Sequence, residues 1–326
     1  MQLPRRWFGV DVIATLLHEQ IVIHSSDGHR VARPLRRVAS QLGFDRQGEA
    51  LFTGVVTDIL AGPQVDHVRA DGGIECHTHW IEAPDGQAVG LVVWIAAPPT
   101  TTRPDYNSWI LDLQKVATRS GGDNLSIIGD GRQAGEERAI RHLLRNMIPD
   151  DAGEFLALYY GAQDGKEGRL TEATWSVRRP DDPTQWVHFW STTTALGAPD
   201  DSNRTVYGLT AQLRHREMDT RMGTLVQYTH STLLMVDART GFTVTTTGEL
   251  APAFDSDEQL LGKVLNQVDL HRIPPAASHE TVVEQTISIE GDQYNVALFA
   301  VPNARQTTAA PVAILLVPAT GRGDTP

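Results

Sequence analysis

A single cysteine, Cys76, stands in 326 residues. No internal disulfide framework can form, and nothing here calls for an oxidising compartment. Lysine is nearly as scarce: Lys115, Lys166 and Lys263 are the only three, so positive charge is almost all arginine. That positive charge is outweighed, leaving a formal net charge of −12, which argues against a nucleic-acid binder because phosphate contacts need clustered Lys and Arg. No apolar run approaches the roughly 20 residues of a membrane helix. The start, Arg5-Arg6-Trp7-Phe8-Gly9-Val10, has the arginine pair of an export signal. Asp11 interrupts its apolar stretch, His18 and Glu19 close it, and no small-residue cleavage site follows, so a first β-strand is the better reading. The expectation is a cytoplasmic chain without a membrane segment. Catalytic signatures are missing too: there is no Gly-x-Ser-x-Gly elbow, Walker loop or Gly-x-Gly-x-x-Gly fingerprint, and no catalytic residue is nominated.

What is present is ordinary globular material, 40% apolar and 21% charged, long enough for two or three units with cores of their own. The Pro/Thr-rich stretch Ala97–Pro104 cannot continue a helix or a central strand. His215–His230 reads as a polar-faced helix with Met218, Met222, Leu225 and Val226 on one face. The boundaries expected are therefore 1–98, 103–214, a connecting helix 215–230, and 231–319.

The last segment is the clearest. Leu233–Asp237 and Phe242–Thr247 read as two strands around the turn Arg239-Thr240-Gly241. Helical pieces follow at 249–254 and 257–268, then strands at 281–290, 293–302 and 311–318. The middle segment closes in the same manner, with strands at 171–179, 185–194 and 205–213. Before them, 135–147 reads as a helix and 154–160 as an apolar strand. The first segment has a helical middle at 37–41 and 49–60 and closes with strands at 73–82 and 89–96. Three units of similar size share an ending.

Leu234-Met235-Val236-Asp237-Ala238-Arg239-Thr240-Gly241-Phe242 resembles the opening of a PAS domain, and Leu260-Leu261-Gly262-Lys263 resembles a stretch of its helical middle. Val177-Arg178-Arg179, Trp186-Val187-His188-Phe189-Trp190 and Val206-Tyr207-Gly208-Leu209-Thr210 resemble its closing meander, except that the usual Asp-Ile-Thr exit reads Gly208-Leu209-Thr210. The full layout, including Val93-Trp94 and Trp109–Leu113 on either side of the Pro-rich linker, is similar to a family of actinobacterial proteins of tandem PAS-like modules without an effector domain. The resemblance implies an α+β fold in which each module is an antiparallel five-stranded sheet, of strand order 2-1-5-4-3, with helices on one face. It also implies a non-catalytic signalling role, binding a small molecule or a protein partner, and it names no cofactor.

Three clusters invite chemistry. His77 and His79, on one face of a strand beside Glu75 and Cys76, could supply two metal ligands, but a site needs a third and no companion motif exists. No metal ligand is nominated. Gly121-Gly122-Asp123-Asn124 imitates a cyclase loop yet carries Asn where a second acid is needed, and reads as a turn entering a strand. The aromatic strands say more. Trp175 and Val177 share a face, as do Trp186, His188 and Trp190, and the alternate positions are apolar as well, so both faces are covered. Trp175, Trp186, His188 and Trp190 are thus candidates for a ligand pocket, with an aromatic core as the competing reading. Met218, Met222 and Leu225 are candidates for a homodimer-forming helix, with a rigid connector as the alternative.

Overall fold

The computed structural model describes residues 1–71, 73–148, 151–152, 155, 158, 162, 166–198, 201, 204–213, 226, 229–238, 242–273, 282–300 and 311–319. Met218, Met222, Leu225 and the Arg239-Thr240-Gly241 turn lie outside them. The chain forms two compact units: residues 1–140 with 165–216, and residues 141–164 with 217–326.

The first unit carries two sheets. β1 (Phe8–Asp11), β2 (Val22–Ser26), β3 (His29–Pro34), β4 (His67–Asp71), β5 (Ile74–Glu82) and β6 (Ala88–Ala96) form a sheet of order β3-β2-β1-β6-β5-β4. Helix α1 (Val12–His18) follows β1, and α2 (Leu35–Val38) and α3 (Arg46–Ala61) cross from β3 to β4. Asp11 caps α1 by accepting from the Ala14 N–H, and Asp45 caps α3 by accepting from Gly48. Along α3, Phe52, Val55, Val56 and Ile59 recur at helical spacing and pack on the sheet.

The second sheet uses β7 (Tyr106–Asp112), β8 (Ala117–Gly122), β9 (Glu137–Ala139), β10 (Leu170–Arg178), β11 (Trp186–Leu196) and β12 (Thr205–Leu213), in the order β9-β8-β7-β12-β11-β10. Numbered from its own first strand, each of these sheets runs 3-2-1-6-5-4, with every neighbour antiparallel.

β6 explains how two sheets share one unit. Every residue of Ala-Val-Gly-Leu-Val-Val-Trp-Ile-Ala is buried. Leu91, Val93 and Ile95 enter the core beneath α3, while Val92, Trp94 and Ala96 enter a second core with Tyr106, Ile110, Leu209 and Ala211 of the second sheet. A strand covered on both faces reads as a continuous apolar run.

In the second unit, β13 (Thr232–Asp237), β14 (Phe242–Gly248), β15 (Val282–Ile289), β16 (Asp292–Ala300) and β17 (Pro311–Pro318) make a five-stranded sheet, β14-β13-β17-β16-β15. This is the order 2-1-5-4-3 expected for that segment. Helices α5 (Ala251–Ser256) and α6 (Glu258–Leu265) connect β14 to β15, and Asp257 caps α6 by accepting from Gln259 and Leu260.

Four expectations need correction. The first two sheets have six strands, not five, each gaining an edge strand. The helix expected over 135–147 is the short strand β9 followed by α4 (Arg141–Leu144), because Gly135 turns at φ +74 and Glu137–Ala139 pair with β8. The strand expected over 154–160 is helical at its described residues: Asp151, Ala152, Phe155, Leu158 and Ala162 are helical and buried, at a spacing that fits one helix face. After Gly121-Gly122, Leu125–Ile128 form a 3-10 turn and not a strand.

Candidate functional site

Each sheet buries one face whose make-up can be compared among the three. On the first sheet it is aromatic and aliphatic. Phe8, Phe44 and Phe52 pack ring against ring at centroid distances of 5.2–5.3 Å, with Leu91, Val93 and Val56 around them. On the third sheet Leu234, Val236, Leu298, Ile314 and Leu316 form one apolar cluster with Phe254, Leu260 and Val264.

The second sheet carries a different surface. Its register places Trp175, Phe189, Ser191, Thr210, Gly208 and Trp109 on one face. Trp175 stacks on Phe189 at 4.4 Å. Its indole N–H donates to Ser191 Oγ at 2.8 Å, and the Trp109 N–H donates to Thr210 Oγ1 at 3.0 Å. Ser191 Oγ and Thr210 Oγ1 lie 2.6 Å apart and share a hydrogen bond. Further along the face, Thr171 and Thr193 bond to each other through their hydroxyls. Gly208 lets the Trp109 ring lie flat on the strand: a Cβ there would meet three ring atoms at 2.1–2.5 Å. The Gly208 that departs from the PAS-like exit motif therefore has a local reason. Ala173, Ser191, Gly208 and Thr210 make a floor of small side chains, bordered by aromatic rings.

Of the sequence candidates, only Trp175 is on this face. Trp186, His188 and Trp190 share the opposite one. Trp190 is buried between the two sheets of the unit, and its N–H donates to the His24 carbonyl at 3.3 Å. His188 Nδ1 bonds Ser176 Oγ at 2.8 Å, and Trp186 lies under the Arg178 guanidinium at 5.0 Å. The four are not brought together. Ser191, Thr210 and Trp109 were not singled out as site residues, because only the pairing register reveals that they meet Trp175.

Between the two sheets runs a buried polar chain. A β-bulge at His24 turns its ring into the layer. Nε2 lies 3.0 Å from the Leu209 carbonyl and Nδ1 2.9 Å from Ser25 Oγ, which lies 2.7 Å from Tyr106 Oη. The carbonyl can only accept, so Nε2 carries the proton, Ser25 donates to Nδ1, and Tyr106 donates to Ser25. Burial pushes the His24 pKa down to about 4 and the Tyr106 hydroxyl up to about 12. The ring is neutral at pH 7. Asp11 adds a second pin, accepting from Thr192 at 2.7 Å.

His77 and His79 take different partners. His77 Nε2 bonds Glu75 at 2.7 Å. His79 donates through Nδ1 to Asp66 and through Nε2 to Asp123 at 2.8 Å, and Arg103 closes on Asp123 at 2.6 Å. Two carboxylate partners require both ring nitrogens to be protonated. The hydrogen bond to Asp123 is the main reason the His79 pKa is raised, against the opposing effect of burial. Burial acts to raise Asp123, but hydrogen bonds from His79, Arg103 and the Tyr106 N–H outweigh it and hold the carboxyl at about 2. Among the described residues no three His, Cys, Asp or Glu side chains converge as metal ligands.

The sign of this link follows from the raised value. Stability from His79 is fully present below the unfolded pKa of about 6.5 and is lost as pH rises through the higher folded value. In a ¹⁵N NMR titration His79 should deprotonate above the ordinary histidine range, while His24 stays neutral until about pH 4. The variant H79Q should lose the alkaline fall in unfolding free energy. A His79 that titrates below 6.5 contradicts the double clamp.

No family model and no curated protein matches this sequence. Solved structures do. The crystal structure of an uncharacterized protein from Mycobacterium tuberculosis aligns over 96% of this chain and 96% of its own, with a TM-score of 0.61 at 12% identity. An RNA-binding Light-Oxygen-Voltage receptor (11% identity, 65% of this chain and 95% of that one) and the ligand-binding domain of Mlp24 with asparagine (13%, 65% and 68%) reach TM-scores of 0.25 and 0.24. Values that low carry no argument. What the comparisons establish is a fold shared along nearly the whole chain with the M. tuberculosis protein.

Proposed function

We infer that this protein is a non-catalytic, cytoplasmic sensor or regulatory protein made of three PAS-like modules, which binds a small molecule on the second sheet and passes the event on through a change in domain arrangement. The modules are residues 1–98, 103–214 and 231–319. Two sheets of order 3-2-1-6-5-4 and a third of order 2-1-5-4-3, which differ by one edge strand, support the modular reading together with the PAS-like opening at 234–242. One observation carries the ligand reading: a buried face of the second sheet bears indole and hydroxyl groups where the first and third sheets bear apolar clusters. Binding sites combine apolar walls with a few placed polar groups. A purely structural scaffold is the second reading, favoured because that face is buried in the second sheet as in the other two, Trp175, Phe189, Ser191 and Thr210 being 0–4% exposed.

Native mass spectrometry of freshly purified protein separates the two. The sensor reading expects a species heavier than the 35.7 kDa chain by a small-molecule mass that is lost on collisional activation. A bare chain in every preparation supports the scaffold and counts against the ligand.

A further inference from the structure

The His79 ring ties together three pieces of chain that lie far apart in sequence. It projects from β5, Asp66 closes the turn between α3 and β4, and Asp123 follows β8 of the second sheet. Nδ1 donates to Asp66 Oδ2 at 2.5 Å and Nε2 to Asp123 Oδ1 at 2.8 Å. A ring with one proton can make only one of these bonds, because its bare nitrogen is an acceptor facing an acceptor. The other charged groups around it are already engaged. On β5, His77 is taken up by Glu75 at 2.7 Å. Beside Asp66, His67 bonds Thr78 Oγ1 at 3.0 Å. On the linker, Arg103 closes on Asp123 at 2.6 Å and Asp105 accepts from Asn124 at 3.3 Å. On β8, the charge of Arg119 is felt at Tyr207.

The two arms of the ring are not equal. The Asp66 side chain is 52% exposed and that of Asp123 only 12%. When a proton leaves, water can replace the ring at Asp66. At Asp123 a bare Nε2 would face an oxygen that solvent reaches far less, which costs more. The neutral ring therefore keeps its proton on Nε2 and its bond to Asp123. Asp66 is then held by its second bond, in which Oδ1 accepts from the Trp80 N–H at 2.8 Å. The strand it leads into, β4, is the edge of the first sheet, with Val68–Asp71 exposed, so little else holds that turn.

We propose that His79 is a proton-operated strap: doubly protonated, it ties the α3–β4 turn down onto β5 and the second sheet, and singly protonated it stays on Asp123 and lets the turn and edge strand β4 lift. The raised His79 pKa places the opening above about 6.5, so the strap is closed on the acid side and opens as pH rises through the folded value. The device needs no ligand, so its failure would leave the reading of the second sheet untouched.

NMR of the full chain tests it, with ring ¹⁵N shifts reporting the His79 tautomer and amide hydrogen exchange reporting the turn. The Trp80 amide is the direct probe, since its acceptor is the Asp66 side chain. As pH rises through the His79 titration, its protection, corrected for the intrinsic exchange rate, should fall about 3- to 10-fold, the effect of one hydrogen bond. Val93, buried at the centre of the same sheet, should keep its protection, and the neutral ring should carry its proton on Nε2. H79Q should remove the pH dependence at Trp80; the wild-type readings stand whether or not that variant folds. Unchanged Trp80 protection across the titration, an equal fall at Val93, a neutral ring protonated at Nδ1, or a pH dependence that survives in folded H79Q would each overturn the strap.

Discussion

Gly208→Ala should destabilise the first unit by about 3 kcal/mol, the upper part of the range for forcing a methyl into a packed core. Its unfolding midpoint should fall by roughly 6–12 °C on the scale for domains of 150–250 residues. The cause is steric alone. The added Cβ would sit 2.1 Å from Trp109 Cε2 and within 2.5 Å of two more ring atoms, and a planar indole cannot bend away. It can only tilt off the strand, which breaks its bond to Thr210. Differential scanning calorimetry reads the shift. In a double-mutant cycle with Trp109→Ala, the cost of the alanine at 208 should shrink by roughly half or more, because the ring it meets is gone. An undiminished cost in that background would mean that Trp109 does not lie on Gly208.

Phe52→Ala should cost about 3–5 kcal/mol, the usual range for emptying a buried aromatic site. Phe52 is fully buried and in ring contact with both Phe8 and Phe44, and the capped helix that carries it holds the layer against the first sheet. Chemical denaturation should show the loss as a lower midpoint with little change in slope. The informative contrast is with binding: the folded fraction of F52A should keep any small-molecule adduct that the wild-type chain shows in native mass spectrometry. Loss of that adduct from the folded fraction of F52A would move the ligand to the first sheet. Trp80 Nε1 makes that alternative concrete, because it is a buried donor without a partner among the described residues.

Much of the fold is written in local pattern. The alternating strands at 171–179 and 205–213, and the five strands of the last segment, follow from period-two burial and turn residues. The segment 154–160 misleads because a short apolar run fits a buried strand and a buried helix equally well. The edge strand Glu137–Ala139 is too short to show any period. The site was legible only at Trp175. Its partners are Ser191, 16 residues on, and through Thr210 the ring of Trp109, 101 residues before that hydroxyl. Serine and threonine are unremarkable in a strand until the register sets them opposite an indole. The His79 clamp was hidden in the same way, with its carboxylates 13 and 44 residues away.

The claim at the centre of this account is that, of three sheets wound alike, the second is the one that holds a ligand. Photolabelling of the full chain with benzophenone, itself a neutral aromatic ketone, followed by peptide mapping, tests it most directly. The account predicts adducts within 107–111, 173–177, 189–193 and 206–210. Adducts confined to helix α3 around Phe52 and strand β5 around Trp80, or to the third sheet at 234–236 and 312–316, would contradict it.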